Sequence, residues 1–355
     1  MVKEKKEKAT KEESKDLNGV AKANLAKKLG VITADQLAPA EYIQTGFSRI
    51  DSIWGDHRRG LRRGTSTIIY GNTGSGKSTM VYQIIANVQK QGLRAIVFNV
   101  ENSFDPQWAQ HLGVNLGTLY IKPIQENLDA TLQTVKDVVA TGYFDLVVID
   151  SLHALGTARE MDRSIEEENP VGALAQKVTL FVRTIGPSLE QTKAHMIVIG
   201  QARMNIDQGN MNMTGGKAIE HAPDIIIQMN RSDAKARVPV DKDDKPIGHV
   251  ALMFGEKVRG PGNKCRFEMP FINGDGFSET RCVIEQTITN PPLATRLFGG
   301  VGPYFVWKNK DGEDVKLHGK FQVLQYFDDN PKELVRLSEM ATDESSSPIS
   351  PSAGE

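Results

Sequence analysis

A glycine-rich stretch early in the chain has the residue types that surround a phosphate group. It reads GNTGSGKST, from Gly71 to Thr79, between the strand pattern TSTIIY and the helical pattern MVYQIIANVQKQG. This is the P-loop spacing G-x-x-x-x-G-K-[ST] in the strand–loop–helix context that the motif requires. Its backbone amides and the N-terminal end of the helix would face phosphate oxygens, so a nucleoside triphosphate site is predicted. The expected nucleotide contacts are Gly71, Asn72, Thr73, Gly74, Ser75, Gly76, Lys77, Ser78 and Thr79.

Three polar residues of this site have specific expected roles. Lys77 would reach the β- and γ-phosphates, and Ser78 would offer its hydroxyl to Mg²⁺. Asp150 ends the apolar run FDLVVID, and ligands of open α/β sheets bind where parallel strands end. We expect Asp150 to hold Mg²⁺ through water beside Ser78; the alternative is that Asp150 caps the next segment.

Glu101 follows the apolar run RAIVFNV and is either a surface charge or a catalytic base. A carboxylate at a strand end beside a P-loop can orient and polarise the water that attacks the γ-phosphate. Glutamates are also common on surfaces after strands, so residue type and position alone leave both interpretations open.

Length and composition favour one large core with smaller attachments. The 355 residues exceed the usual size of a domain, and 39% hydrophobic and 25% charged residues are typical of a soluble globular protein. The N-terminal run MVKEKKEKATKEESK lacks the apolar stretch of a secretory signal, and no apolar run approaches a membrane span. Two cysteines fit a reducing cytosol, so we expect a cytoplasmic protein without a membrane partner. A net charge of −1 neither requires nor excludes nucleic acid.

Five short apolar runs rich in Ile and Val are expected to form the sheet that positions these residues. They read TSTIIYG, RAIVFNV, FDLVVID, HMIVIGQ and DIIIQMN, and helical patterns separate several of them. Strands that are apolar on both faces and alternate with helices indicate an α/β fold with a mostly parallel central sheet. HVALMFGEKVRG and KCRFEMPF are expected to extend this sheet with antiparallel strands.

Changes in composition along the chain predict four parts. Residues 1–41 would form an N-terminal arm with an oligomerisation helix in VAKANLAKKLG, with a solubilising tail as the alternative. Residues 42–277 would form the nucleotide-binding core. Residues 278–340 would form a small α+β domain with a turn at KDG and a last helix near DDNP. Residues 341–355 are rich in Ser and Pro with only acidic charges, and we expect them to be disordered.

A resemblance to a known family lies in the segment that contains Glu101, VENSFDPQWAQHLGVNLGTLYI. In bacterial RecA recombinases an acidic residue likewise precedes DP, an aromatic residue and LGV. The resemblance covers about residues 42 to 340, through IQTGFSRIDSIWG, GLRRG, FDLVVIDSLHAL, IVIGQARM, MTGGKAI and YFVWKNKDGE with DDNP. Segment lengths and loops look closer to phage-encoded, UvsX-like members than to the cellular enzyme. The resemblance implies a RecA-type P-loop core, ATP as the nucleotide and a DNA-dependent ATPase.

The resemblance assigns roles around the nucleotide. It makes Glu101 the base for the hydrolytic water and Gln201 the residue that senses the γ-phosphate and couples it to DNA. Asp105 and Trp108 match positions that contact adenine, with Trp108 stacking on the base; packing of Trp108 on its own helix is the alternative. The expected catalytic residues are Glu101, Lys77 and Gln201.

The sequence GEKVRG matches the family's contact with a neighbouring subunit's nucleotide across the filament interface. Lys257 and Arg259 would make this contact. The family pattern carries two lysines there, whereas this chain has Gly255 at the first position, so Arg259 is the expected substitute.

Two segments, residues 159–172 and 202–216, match the family's DNA-binding loops. The second has an arginine to pair with phosphate, Met and Ile side chains to wedge between bases, and glycines whose amides can contact phosphate. A Met-rich loop that binds a protein is the alternative. The first loop contains an acidic run, EEEN, where a basic loop is expected. The expected DNA contacts are Arg183, Arg203, Met204, Ile206, Gly215 and Gly216.

The resemblance therefore implies an ATP-dependent recombinase that forms a filament on single-stranded DNA, pairs it with homologous duplex DNA and exchanges strands. Expected partners are both forms of DNA, further copies of the chain, and mediator and single-strand-binding proteins. Two alternatives remain open. One is a RecA-fold hexameric helicase or DNA motor, and the other is a nucleotide-gated scaffold that binds a protein through the second loop.

Overall fold

The computed structural model describes residues 28, 30, 38–54, 60–124, 128–151, 173–204, 211–213, 223–232, 238–259, 265–299 and 303–342. The chain divides into two units, residues 1–41 and 42–355. Most of the predicted N-terminal arm and the predicted tail beyond residue 342 lie outside the described residues. The predicted domain boundaries therefore stay predictions.

A ten-stranded sheet forms the centre of the second unit. Two short strands, β1 (Tyr42–Ile43) and β2 (Leu61–Arg62), pair with each other outside this sheet. The strands of the main sheet are β3 (Ser66–Gly71), β4 (Ala95–Asn99), β5 (Tyr120–Pro123), β6 (Leu146–Asp150), β7 (His195–Met204), β8 (Met211–Met213), β9 (Ile225–Ser232), β10 (Gly248–Val258), β11 (Arg266–Ile272) and β12 (Gly276–Phe277).

The sheet has a parallel centre and an antiparallel extension, as the sequence predicted. Its order is β12-β11-β10-β9-β3-β7-β6-β4-β5, and β8 pairs with the end of β7. The neighbours from β9 to β5 in this order are parallel. The pairs β9–β10, β10–β11 and β11–β12 are antiparallel. In this arrangement β3, β7, β6 and β4 end at one edge of the sheet.

Helices cover both faces of the sheet, which explains why its central strands are apolar throughout. The helices are α1 (Ser48–Asp51), α2 (Lys77–Lys90), α3 (Pro106–His111), α4 (Leu128–Ala140), α5 (Ala173–Thr192), α6 (Glu279–Thr289), α7 (Pro291–Phe298), α8 (Gly319–Asp329) and α9 (Pro331–Thr342). Ile69 and Val148 pack in one core with α2, whereas Ile68 and Val147 pack in a second core with α4 and α5. Successive residues of each strand thus enter opposite cores.

The C-terminal part has a hydrophobic core of its own. Strands β13 (Tyr304–Lys308) and β14 (Asp314–His318) form an antiparallel hairpin, and Gly312 in the predicted KDG turn has a positive φ of 82°. Trp307, Phe298 and Phe327 pack together between this hairpin and helices α6 to α9. The last helix begins at Pro331, within the DDNP sequence as expected.

No helix among the described residues is both long and apolar enough to cross a lipid bilayer.

Candidate active site

The P-loop connects the end of β3 to the start of α2. Gly74 and Gly76 have φ values of 76° and 92°, which L residues with a side chain rarely adopt. A Cβ added at Gly76 would also lie 2.7 Å from Cζ of Phe277. The Ser75 hydroxyl donates a hydrogen bond to the carbonyl oxygen of Asn72 at 2.8 Å. Conformation and close packing together explain why glycine precedes Lys77.

Lys77 lies over the start of the loop and is 9% exposed. Its Nζ donates hydrogen bonds to the carbonyl oxygens of Gly71, at 2.9 Å, and Asn72, at 2.7 Å. Burial lowers the pKa of Lys77, and the nearby carboxylates of Asp150 and Glu101 oppose this shift. The Lys77 ammonium group is therefore held at the start of the P-loop, next to two carboxylates.

Ser78 and Asp150 meet across the gap between α2 and β6. The Ser78 hydroxyl donates to Oδ2 of Asp150 at 3.1 Å, and Asp150 is 5% exposed. Burial raises the pKa of Asp150 to about 6, and Glu101 adds to the rise, while the Ser78 hydrogen bond and Lys77 oppose it. A hydroxyl and a carboxylate are oxygen ligands of the kind that Mg²⁺ prefers, so this pair fits the predicted metal role.

Glu101 is exposed, yet its side chain is not free in solvent. The buried hydroxyl of Ser151 donates a hydrogen bond to Oε1 of Glu101. The backbone amides of Val100 and Glu101 both donate to the carbonyl oxygen of Asp150, at 2.8 and 3.3 Å. The end of β4 is thereby fixed to the end of β6, and the Glu101 carboxylate stands beside the P-loop.

A cavity of about 250 Å³ unites these residues. Gln201 reaches it from β7, so that the cavity lies where β3, β4, β6 and β7 end. Ser151 and Ile199 line it although the sequence did not single them out. The hydroxyl next to Asp150 was a signal for Ser151, whereas an isoleucine inside an apolar strand gave none. The lining residues are Thr73, Gly74, Gly76, Lys77, Ser78, Thr79, Glu101, Asp150, Ser151, Ile199 and Gln201.

Asp105 and Trp108 lie beside this cavity rather than in its lining. Asp105 caps α3, because its side chain accepts a hydrogen bond from the Trp108 amide at 3.0 Å. The Trp108 indole donates to the hydroxyl of Thr79, a lining residue, at 3.2 Å. Its ring stacks on His111 with centroids 5.4 Å apart, and it also packs against the core. Adenine contact by Asp105 and Trp108 stays a prediction.

Lys257 and Arg259 lie at the end of β10 and do not line the cavity. Arg259 forms an ion pair with Asp224 at 3.2 Å. Burial lowers the pKa of Lys257, with a further lowering by Arg259, whereas Asp224 opposes both. A Cβ added at Gly255 would lie 2.9 Å from Sγ of Cys265, so a lysine there would require the cysteine to move.

The predicted DNA contacts are only partly within the described residues. Arg183 is exposed on α5. Arg203 and Met204 end β7, where their backbones pair with Asn212 and Met211 of β8. The remaining predicted contacts, Ile206, Gly215 and Gly216, and the first loop at 159–172 lie outside the described residues.

The sequence matches the family model described as the RecA N-terminal domain over residues 18–274. It is 29% identical to the RecA protein of Thermotoga petrophila over 305 residues. The aligned region covers 84% of this chain and 81% of the relative. It is also 29% identical to the RecA proteins of Delftia acidovorans, over 79% of this chain and 76% of the relative, and Streptomyces avermitilis, over 82% and 74%. These relatives are bacterial, and the likeness to phage-encoded members stays a prediction. The family match spans well over half of the chain, which therefore belongs to the RecA family.

Proposed function

We propose that this chain is an ATP-dependent DNA recombinase, which forms a filament on single-stranded DNA, pairs that strand with homologous duplex and exchanges strands. Membership of the RecA family implies ATP binding and an ATPase activity. The observation that carries the proposal is that one cavity is lined together by Lys77, Ser78, Asp150, Glu101 and Gln201. A P-loop, a strand-end carboxylate, a base and a sensor for the γ-phosphate are the parts that nucleotide hydrolysis coupled to another process requires.

ATP binding would use the P-loop end of the cavity. The carbonyl oxygens that Lys77 contacts are weaker partners than phosphate oxygens, so the ammonium would turn to the β- and γ-phosphates. Ser78 and Asp150 would hold Mg²⁺, whose chemistry here is to neutralise phosphate charge. Asp150 would be ionised in that state, since a bound cation favours the charged carboxylate.

Hydrolysis would depend on Glu101. Its carboxylate would orient a water molecule for in-line attack and accept the proton that this water loses. The proposal is supported by the position of Glu101 beside Lys77 and the P-loop, with one carboxylate oxygen already bound to Ser151.

DNA release would follow from the position of Gln201. This residue lines the cavity, and β7 continues from it through Ala202 to Arg203 and Met204, which begin the proposed DNA-binding loop. A change in the hydrogen bonds of Gln201 after γ-phosphate loss would therefore occur two residues from the DNA contacts. Hydrolysis would in this way drive turnover of the filament rather than strand pairing itself.

Filament formation would place Lys257 and Arg259 against the nucleotide of a neighbouring copy. Both lie outside the lining of their own cavity, and Arg259 is 60% exposed in spite of its pairing with Asp224. Mediator and single-strand-binding proteins are further proposed partners, since a filament must displace whatever covers the single strand.

The deciding experiment measures ATP hydrolysis with and without single-stranded DNA, together with negative-stain images in a slowly hydrolysed ATP analogue. We expect DNA to stimulate hydrolysis and helical filaments to form. Closed rings would instead indicate the hexameric motor. If DNA does not stimulate hydrolysis and no polymer forms, the protein-binding scaffold would be the better explanation.

A further inference from the structure

We propose that Ser151 is a positioning residue for Glu101, an inference that rests on the proposed ATP hydrolysis. Ser151 directly follows β6, is 2% exposed and lines the nucleotide cavity. Its hydroxyl donates to Oε1 of Glu101 and leaves the second carboxylate oxygen to face a water molecule. Ser151 would thus hold the base without touching the reacting atoms.

Backbone hydrogen bonds join the two strand ends that carry this pair. Asn99 and Asp150 are direct partners in the β4–β6 ladder, and the carbonyl oxygen of Asp150 accepts from both Val100 and Glu101. The ends of β4 and β6, next to which the two side chains lie, therefore have a fixed register. The Glu101 side chain is the part that this scaffold does not fix.

A positioning bond has value because a glutamate side chain is flexible. Glu101 is exposed, and a glutamate loses side-chain entropy when its rotamers are ordered. A base must lie within hydrogen-bond reach of its water in one geometry to be efficient. The Ser151 side chain is short and buried, which fixes its hydroxyl. This hydroxyl supplies the restraint on Glu101 before ATP binds.

The alternative role for Ser151 is direct contact with phosphate or metal, since it also lines the cavity. The two roles differ in what they change. A positioning residue affects the chemical step and leaves nucleotide binding intact, whereas a phosphate or metal contact affects both. Substitution can therefore separate them.

The test compares Ser151→Ala with Ser151→Thr and a control, Ser278→Ala, in full-length protein with single-stranded DNA. Ser278 caps α6 by accepting a hydrogen bond from the Arg281 amide, so the control also deletes one serine hydroxyl, outside the cavity. We expect Ser151→Ala to lower kcat about tenfold, the effect of losing a hydrogen bond to a charged group. KM and the Kd of a fluorescent ATP analogue should stay within about twofold, because binding is spared. Ser151→Thr should restore most of kcat, and Ser278→Ala should not change it.

Glu101→Gln gives the coupling test. If Ser151 acts only through Glu101, Ser151→Ala should cause no further loss in the Glu101→Gln background. Ser151→Cys, with a poorer donor of similar volume, provides the same comparison should the alanine variant not fold.

Two results would overturn the inference while leaving the proposed function intact. One is an unchanged kcat in Ser151→Ala when Glu101→Gln is inactive. The other is a parallel loss of analogue affinity and kcat, which would make Ser151 a phosphate or metal contact. Normal hydrolysis by Glu101→Gln would instead contradict the assignment of the base, and the inference would fall with it.

Discussion

The hydroxyl of Ser78 lies 3.1 Å from Oδ2 of Asp150, although 72 residues separate the two in the chain. The contact joins the first turn of α2 to the last residue of β6. Because the carboxylate is buried, the pair costs stability in the free protein unless a cation or a proton is bound. The same arrangement that would serve a metal ion therefore opposes folding at neutral pH.

Without nucleotide, the Asp150→Asn variant should become increasingly more stable than the wild type as the pH rises. The folded-state pKa of Asp150 is about 6, above its ordinary value of 3.8. The contribution of Asp150 to the free energy of unfolding is therefore fully present below pH 3.8 and is lost as the pH rises through 6. Asparagine has no such loss. We expect the stability difference between variant and wild type to grow between pH 4 and pH 7, towards roughly 3 kcal/mol as an upper bound. Urea unfolding across this range measures it, and parallel curves would contradict it.

Lys77→Ala should abolish productive nucleotide binding. The substitution removes the ammonium that lies over the loop and leaves the carboxylates of Asp150 and Glu101 without the nearby positive charge. Isothermal titration with a slowly hydrolysed ATP analogue should show at least a hundredfold loss of affinity, roughly 3 kcal/mol. Lys90→Ala, at the other end of α2, is the matched control and should bind normally.

Glu101→Gln should separate hydrolysis from DNA binding. Glutamine keeps the size of the side chain and an oxygen that can accept from Ser151, but it cannot take a proton from water. We expect ATP-dependent binding to single-stranded DNA to persist while hydrolysis falls at least a hundredfold. Hydrolysis and fluorescence anisotropy on one preparation measure both. A near-normal rate of hydrolysis would indicate that Glu101 is a surface charge and not the catalytic base.

The strand ends and the P-loop could be predicted because each depends on a short run of sequence. An apolar run that finishes in Asp150 or Glu101 carries its own signal, and parallel order brings such ends together. The hydrogen bond from Ser151 to Glu101 could not be predicted, since it joins residues 50 apart whose side-chain geometry depends on the register of β4 and β6. Nor could the close approach of Gly255 to Cys265, which gives a steric reason for the departure from the family pattern.

Glu279 should give the protein a second pH-dependent loss of stability, at the contact between α1 and α6. Its Oε1 accepts from the Ser48 amide at 3.0 Å, and within the described part of the chain its buried Oε2 has no hydrogen-bond partner. Burial raises its pKa from 4.5 to about 7, to which the nearby Asp51 adds. The contribution of Glu279 is therefore complete below pH 4.5 and lost as the pH rises through 7.

Glu279→Gln tests this expectation, because glutamine can still accept from Ser48 but does not titrate. The variant should gain stability relative to wild type between pH 4.5 and pH 8, by at most about 3 kcal/mol. Thermal unfolding without nucleotide measures the difference. A constant difference across the range would show that the carboxyl is already solvated in the folded state.

The double substitution Met204→Ala with Ile206→Ala should weaken binding to single-stranded DNA and spare nucleotide affinity. Fully burying a Met or Ile side chain contributes about 1.5–3 kcal/mol, so removing both wedges should raise Kd tenfold or more. Met340→Ala, an exposed methionine on α9, is the matched control and should bind DNA normally. Unchanged DNA affinity in the double variant would favour the alternative that this loop binds a protein. A loss of ATP-analogue affinity would instead mean that the end of β7 shapes the nucleotide cavity itself, since Met204 lies three residues beyond Gln201 on the same strand.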